Sequence, residues 1–209
     1  MNENFVITIG RQIGAGGLET AGKLAREFGI KMYDKELMAE VARRSGISPE
    51  FFSHRDEKSS RGLGTLLHFR SPISGGSGNS TVLTDERLFA IQSDVMRKIA
   101  AEESCIFVGR CADYVLRDHP RVLNVFITAD LDFRVSRLCA EHGWSDSEAR
   151  RFIERGEKER ADYYNYYTFK KWGDSSSYDL CLDSSRLGSI DKVVSTIKYF
   201  MGQLWTLRD

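Results

Sequence analysis

The residues best suited to chemistry lie near the front of this 209-residue chain, where Gly10-Arg11-Gln12-Ile13-Gly14-Ala15-Gly16-Gly17-Leu18 follows the apolar run Phe5–Ile9 and precedes a helical pattern. A glycine-rich turn between a strand and a helix lets backbone N–H groups close around phosphate oxygens, and the helix N-terminus adds positive potential. Two familiar patterns of this kind both fail. A G-x-G-x-x-G fingerprint starting at Gly14 would need glycine where Glu19 stands, and a G-x-x-x-x-G-K-[ST] loop would need lysine at Gly17 and a hydroxyl at Leu18. Four glycines and an arginine still exceed what a bare turn requires. Phosphate is therefore expected on Gly10, Arg11, Gly14, Ala15, Gly16, Gly17 and Leu18. Valine at Gly16 is expected to displace the anion without disturbing the fold.

Two further stretches carry usable side chains. The apolar run Cys105–Val108 ends in Gly109-Arg110-Cys111-Ala112-Asp113, which sets a guanidinium at the carboxyl edge of a sheet, where α/β proteins bind ligands. Arg110 could fork onto a phosphate and Asp113 could bond a base or sugar edge; a plain Arg110–Asp113 surface pair is the alternative. Later, Arg151, Arg155 and Lys158 follow i, i+4, i+7 spacing and share one helix face. Residues 150–171 hold seven basic and four acidic residues, in a chain whose 30 basic and 30 acidic residues cancel. They read as a basic lid or as a solvated face. Tyr163, Tyr164, Tyr166 and Tyr167 read as a packed aromatic face before a platform for stacking bases.

The elements that must position these residues follow from periodicity. Short β-branched or aromatic runs at Phe5–Ile9, Ile30–Tyr33, Cys105–Val108, Val122–Thr128 and Tyr178–Leu182 predict strands. Helical patterns fall at Leu18–Phe28, Lys35–Arg44, Glu86–Glu102, Asp132–His142, Ser145–Tyr164 and Ser189–Trp205. Their alternation predicts an α/β fold with a parallel sheet and helices on both faces. Ser45–Asp85 breaks the rhythm, and Ser71–Ser80 has the composition of a flexible loop. The apolar C-terminal helix covers the sheet or a partner, which leaves a homo-oligomer open.

Composition bounds the rest. At roughly 150 residues per domain one domain is expected, and balanced charge argues against nucleic acid as a partner. No apolar run approaches the roughly 18 residues of a membrane span, and Met1-Asn2-Glu3-Asn4 lacks the basic start of an export signal. No membrane partner is expected, and the expected location is cytoplasmic. Cys105, Cys111, Cys139 and Cys181 show no metal or disulfide spacing; Cys105 and Cys181 read as small core residues.

Several of these stretches, taken in order, resemble one family. Ile7-Thr8-Ile9-Gly10-Arg11-Gln12, Gly14-Ala15-Gly16-Gly17, Tyr33-Asp34-Lys35-Glu36-Leu37, Val108-Gly109-Arg110-Cys111-Ala112-Asp113 and Val125-Phe126-Ile127-x-Ala129 are similar to the cytidylate kinase-like family. Lys158-x-Arg160-x-x-Tyr163-Tyr164, Trp172 and Tyr178-Asp179-Leu180 fit it as well. The resemblance implies a P-loop NTPase three-layer fold with a five-stranded parallel sheet. It would be a single domain with core 1–44 and 86–209, an NMP-binding-type helical insertion at about 45–85 and a basic lid at about 145–171.

The resemblance also implies ATP-dependent phosphoryl transfer to a nucleoside monophosphate, cytidylate-like, or a related small acceptor. Mg2+ would be held mainly through phosphates and water, with no protein metal ligand. Small-molecule nucleotides are the implied partners. Arg110, Arg155, Lys158 and Arg160 are then the catalytic candidates, and Asp34, Arg110, Asp113, Arg134 and Arg137 the substrate-binding ones. The departures are chemical. Cytidylate kinases proper carry Gly-x-Gly-Lys-Gly-Thr in the loop, and Cys111 stands where they have the aspartate of Gly-Arg-Asp. Arg11, Arg134 and Arg137 are the cations available to replace the lysine. The alternative function is a catalytically weak or inactive nucleotide-binding regulatory module. A Rossmann oxidoreductase is excluded by the missing third glycine.

Overall fold

The computed structural model describes residues 4–34, 36–45 and 85–206, so nearly all of the expected 45–85 insertion lies outside the described residues. The strands are β1 (Val6–Arg11), β2 (Lys31–Tyr33), β3 (Cys105–Val108), β4 (Val122–Thr128) and β5 (Leu180–Asp183). They form one parallel sheet in the order β2-β3-β1-β4-β5. Between and around them run α1 (Gly17–Phe28), α2 (Glu36–Ser45), α3 (Asp85–Glu102), α4 (Ala112–Val115), α5 (Leu131–His142), α6 (Asp146–Thr168), α7 (Ser184–Leu187) and α8 (Ile190–Thr206).

Strand alternation explains the two helix layers. Ile7 and Ile9 of β1 turn to one face, where Ile106, Leu123, Val125 and Ile127 meet Leu24 of α1 and Val193, Val194 and Ile197 of α8. Val6, Phe107 and Val122 turn to the other, against Leu37 and Val41 of α2 and Val95, Met96 and Ile99 of α3. Each such aliphatic side chain, removed fully from water, contributes about 1.5–3 kcal/mol. The apolar C-terminal helix is thus a sheet cover.

A third, smaller cluster joins Ile13 of the loop to Val135 and Leu138 of α5 and to Ala149, Phe152 and Ile153 of α6. Helix α6 starts at a capping box: Ser145 accepts from the Glu148 amide at 3.4 Å, and the Glu148 carboxylate accepts from the Ser145 amide at 2.9 Å.

The sequence expectations shift in several places, β1 among them, which runs on through Gly10 to Arg11. Helix α6 continues past Tyr164 to Thr168, because Tyr163 and Tyr167 go on packing against Phe89 of α3. The last strand begins at Leu180, since Tyr178 is drawn into an aromatic group with Phe126 and Trp172. Cys181 is exposed, in contrast to its expected core position, because β5 is an edge strand and Leu182 is the residue it turns inward.

Candidate active site

The glycine-rich segment is held from three sides. The Gln12 side-chain carbonyl accepts from the Thr128 hydroxyl at 2.5 Å and the Ala129 amide at 3.3 Å, which fixes the segment to the end of β4. The Ile13 amide donates to Glu157 Oε1 of α6 at 2.5 Å. The Ser184 hydroxyl, at the start of α7, donates to the Ala15 carbonyl at 2.9 Å. Among the described residues no side chain caps the first turn of α1 at Gly16, so its N–H groups and its dipole are left to the concave side of the loop.

The glycines make room for neighbouring side chains. A Cβ on Gly10, which lies inside β1, would come within 2.8 Å of the Phe126 ring, and one on Gly14 within 2.8 Å of the Arg134 carbonyl oxygen. Gly16 has φ +82°, and a Cβ there would overlap the Ile190 δ-methyl. The expectation that valine at Gly16 spares the fold is therefore corrected: packing and backbone both oppose it. Leu18 is 45% exposed in the hydroxyl place. The Thr20 hydroxyl donates back to the Gly16 carbonyl at 2.9 Å, and Thr20 is fully buried at the base of the loop.

Arginines converge on the mouth of the loop. Arg11 ends β1, and its guanidinium reaches Asp34 at 3.5 Å. Arg160 of α6 donates to the Arg11 carbonyl oxygen at 2.7 Å. Burial lowers the pKa of both; Arg110 lowers Arg11 further and Arg11 lowers Arg160, while Asp34 and Glu157 oppose the trend. A guanidinium does not give up its proton in a protein. The surplus positive potential therefore falls on the space they share, which suits an anion.

Arg110 sits in a run of left-handed residues, with φ +74° at Gly109, 59° at Arg110 and 56° at Cys111. Holding a non-glycine residue there costs about 1–2 kcal/mol, and strain of this kind concentrates at ligand sites.

The remaining candidates separate. Asp34 and Arg160 come together with Arg11. Arg134 is buried behind Gly14, with Nη1 3.6 Å from Glu157, and among the described residues Nε and Nη1 find no hydrogen-bond partner. Arg137 pairs with Glu19 of α1 at 3.1 Å beside Gly16. Both flank the glycine-rich loop, which is not where a grouping with Asp34 and Asp113 would set them. Arg155 and Lys158 are exposed and form no ion pair among the described residues. Asp113 accepts from Tyr164 at 2.7 Å, which favours an anchor for α6 over a base or sugar contact; burial pushes its carboxyl up against that hydrogen bond.

Glu157, Gln12 and Ser184 were not singled out by the sequence. Glu157 was visible only as one carboxylate in a charged helix. Among the described residues no group of three His, Cys, Asp or Glu could hold a metal, and no helix is long and apolar enough to cross a membrane.

A parallel sheet of this order, a glycine loop between its central strand and α1, and arginines gathered over that loop define a P-loop kinase-like protein. More particularly, residues 6–186 match the cytidylate kinase-like family, to which the chain belongs. It is 29% identical over 205 residues to a cytidylate kinase of Methanopyrus kandleri, covering 93% of this chain and 92% of that protein. A crystal structure of an uncharacterized protein from Eubacterium ventriosum superposes with a TM-score of 0.68 at 27% identity, covering 95% of this chain and 99% of that one. A gluconokinase from Sinorhizobium meliloti shares the fold, with a TM-score of 0.57 at 10% identity over 100% of both chains.

Proposed function

We propose that the protein transfers the γ-phosphoryl group of ATP to a nucleoside monophosphate, cytidylate-like, or to a related small acceptor. The observation that carries this is the start of α1, which no described side chain caps, next to a buried group of Arg11 and Arg160 with Arg110 near enough to act on Arg11. Phosphoryl transfer asks for positioning and charge neutralisation more than for a covalent catalyst.

In this reading the amides of Gly14–Leu18 hold the donor's β-phosphate, and Arg110 orients the acceptor phosphate. Arg160 covers the γ-phosphate, joined by Arg155 and Lys158 if the lid tightens. One of Arg11, Arg134 and Arg137 supplies the charge of the missing lysine. Magnesium, held by phosphate oxygens and water, would neutralise charge on the transferring group. An acceptor phosphate is already ionised, so no general base is required.

Purified protein with ATP and magnesium, assayed for ADP release against CMP, dCMP, UMP, AMP and GMP, tests this. Turnover with at least one monophosphate is expected. Gly17 and Leu18, standing where lysine and hydroxyl are absent, favour a second reading as a regulatory nucleotide-binding module. ATP binding by thermal shift with no turnover for any acceptor would support that module and reject the kinase.

A further inference from the structure

We infer that Arg11 does the work of the loop lysine, the cation having been moved from the seventh position of the phosphate loop to the first. This rests on the proposal of nucleotide phosphoryl transfer above and names the residue that makes it feasible. Laid over residues 11–18, the pattern G-x-x-x-x-G-K-[ST] puts Arg11 in the place of the first glycine and Gly17 in the place of the lysine. The two residue types have changed places.

The structure gives the exchange a steric reason. A Cβ on Gly17 would lie 2.5 Å from Arg11 Cβ and 2.7 Å from its Cγ, so the two positions cannot both carry a side chain. Further out, a Cβ on Gly109 would overlap Arg11 Nη1. The Arg11 stem thus passes between two residues that lack side chains, and its guanidinium emerges at the carboxyl edge of the sheet beside Asp34.

The guanidinium is under-used there. Its side chain is 13% exposed, yet the one hydrogen bond described for it is the contact with Asp34 at 3.5 Å, the outer limit for such a bond. An arginine has five N–H donors, and a buried cation with so little compensation is costly unless an anion arrives. Arg134 and Arg137 are less suited to the role. Arg134 lies behind Gly14 and faces Glu157, and Arg137 is held outside the loop by Glu19.

Chemically the role is simple. The bond from the γ-phosphorus to the β,γ-bridging oxygen breaks as the acceptor phosphate oxygen bonds to that phosphorus, and the electron pair stays on the departing diphosphate. The Arg11 fork binds β- and γ-phosphate oxygens and meets the charge left on the bridging oxygen. No proton changes hands.

The experiment compares the parent with Arg11→Met, Arg11→Gly and the swapped pair Arg11→Gly/Gly17→Lys, each measured for melting temperature, ATP–magnesium affinity and turnover. Arg11→Met keeps an unbranched stem between Gly17 and Gly109 and removes the charge. It should leave melting near the parent's while ATP affinity falls at least about tenfold and turnover about a hundredfold. Lysine at Gly17 should then restore ATP affinity in the Arg11→Gly chain to within about fivefold of the parent, a rescue that a purely structural arginine would not allow.

A parent that binds no ATP removes the nucleotide reading and the inference with it. A parent that binds ATP, with Arg11→Met within about twofold of it in affinity and turnover, removes the inference alone. If Arg11→Met does not fold, the swapped pair decides. Parent-like affinity supports the transposition, and affinity no better than that of Arg11→Gly overturns it.

Discussion

Tyr164 donates its phenolic hydrogen to Asp113 at 2.7 Å, tying the later part of α6 to the first turn of α4. Because α4 begins two residues after Arg110, and Arg160 lies one turn before Tyr164 on α6, this bond sets how α6 meets the arginines at the loop. Tyr164→Phe should cost about 1–3 kcal/mol in urea unfolding, by leaving a buried carboxylate with backbone donors but without its side-chain donor. It should also weaken ATP binding, and unchanged affinity would uncouple the tether from the site.

Asp113 gives a pH signature. Burial raises its folded pKa above that of the unfolded chain, so its contribution to stability is full below the unfolded value and is lost as pH rises through the folded one. Asp113→Asn keeps an acceptor for Tyr164 and removes the buried charge. Melting temperatures from pH 4 to 8 should show the variant gaining on the parent as pH rises. A difference independent of pH would mean that the carboxyl is not strained by its surroundings.

Glu157 joins the glycine-rich loop to α6 and its C-terminal flank through the Ile13 amide, the nearby Arg134 and the Trp172 indole N–H at 3.3 Å. Glu157→Ala removes these together and leaves Arg134 buried without a counter-charge, at an expected cost of about 3–5 kcal/mol. Glu157→Gln still accepts from Ile13 and should cost less. Equal destabilisation by the two variants, read by urea titration, would show that the loop bond contributes little.

At Gly16, alanine is enough to test the geometry. The left-handed backbone and the Ile190 contact together predict a loss of about 2–4 kcal/mol in Gly16→Ala. Differential scanning calorimetry with and without ATP separates this from any effect on binding. A variant as stable as the parent would rule out close packing of Ile190 on the loop.

Arg110 separates recognition from folding. Lysine lacks the planar fork that holds a phosphate at two points, so Arg110→Lys should raise the acceptor's KM with little change in melting temperature. Arg110→Ala should lower kcat as well, because the acceptor is no longer aligned for in-line attack. Unfolding of Arg110→Ala would instead make Arg110 a structural member of the charge cluster.

The fold was legible because its central strands are buried on both faces and announce themselves as apolar runs: Cys105–Val108 and Val122–Thr128 begin and end where the runs do. The loop was legible from its glycines, yet the use of those glycines was not. Gly17 and Gly109 make way for Arg11, and Gly14 for Arg134, contacts decided by how β1, β3 and α5 pack. Glu157 carries no local signal, since its partner Ile13 is 144 residues away in the chain. Tyr163, Tyr164 and Tyr167 were legible as packing residues, since Tyr163 and Tyr167 repeat at helical spacing and meet Phe89 and Tyr164 is buried, whereas Tyr166 is exposed.

The central place of β1 has a consequence for synthesis. Its neighbours in the sheet are β3 and β4, with Val6 paired to both Cys105 and Val122. Most of the chain must therefore leave the ribosome before the strand that carries the phosphate loop has both partners. Pairing at such separation is slow, since the entropy of closing the chain is lost before the contacts form. Until then Phe5–Ile9 is an unpaired apolar segment on a nascent chain, and truncated products ending before β4 should be clients for chaperones or proteases with no means of holding nucleotide.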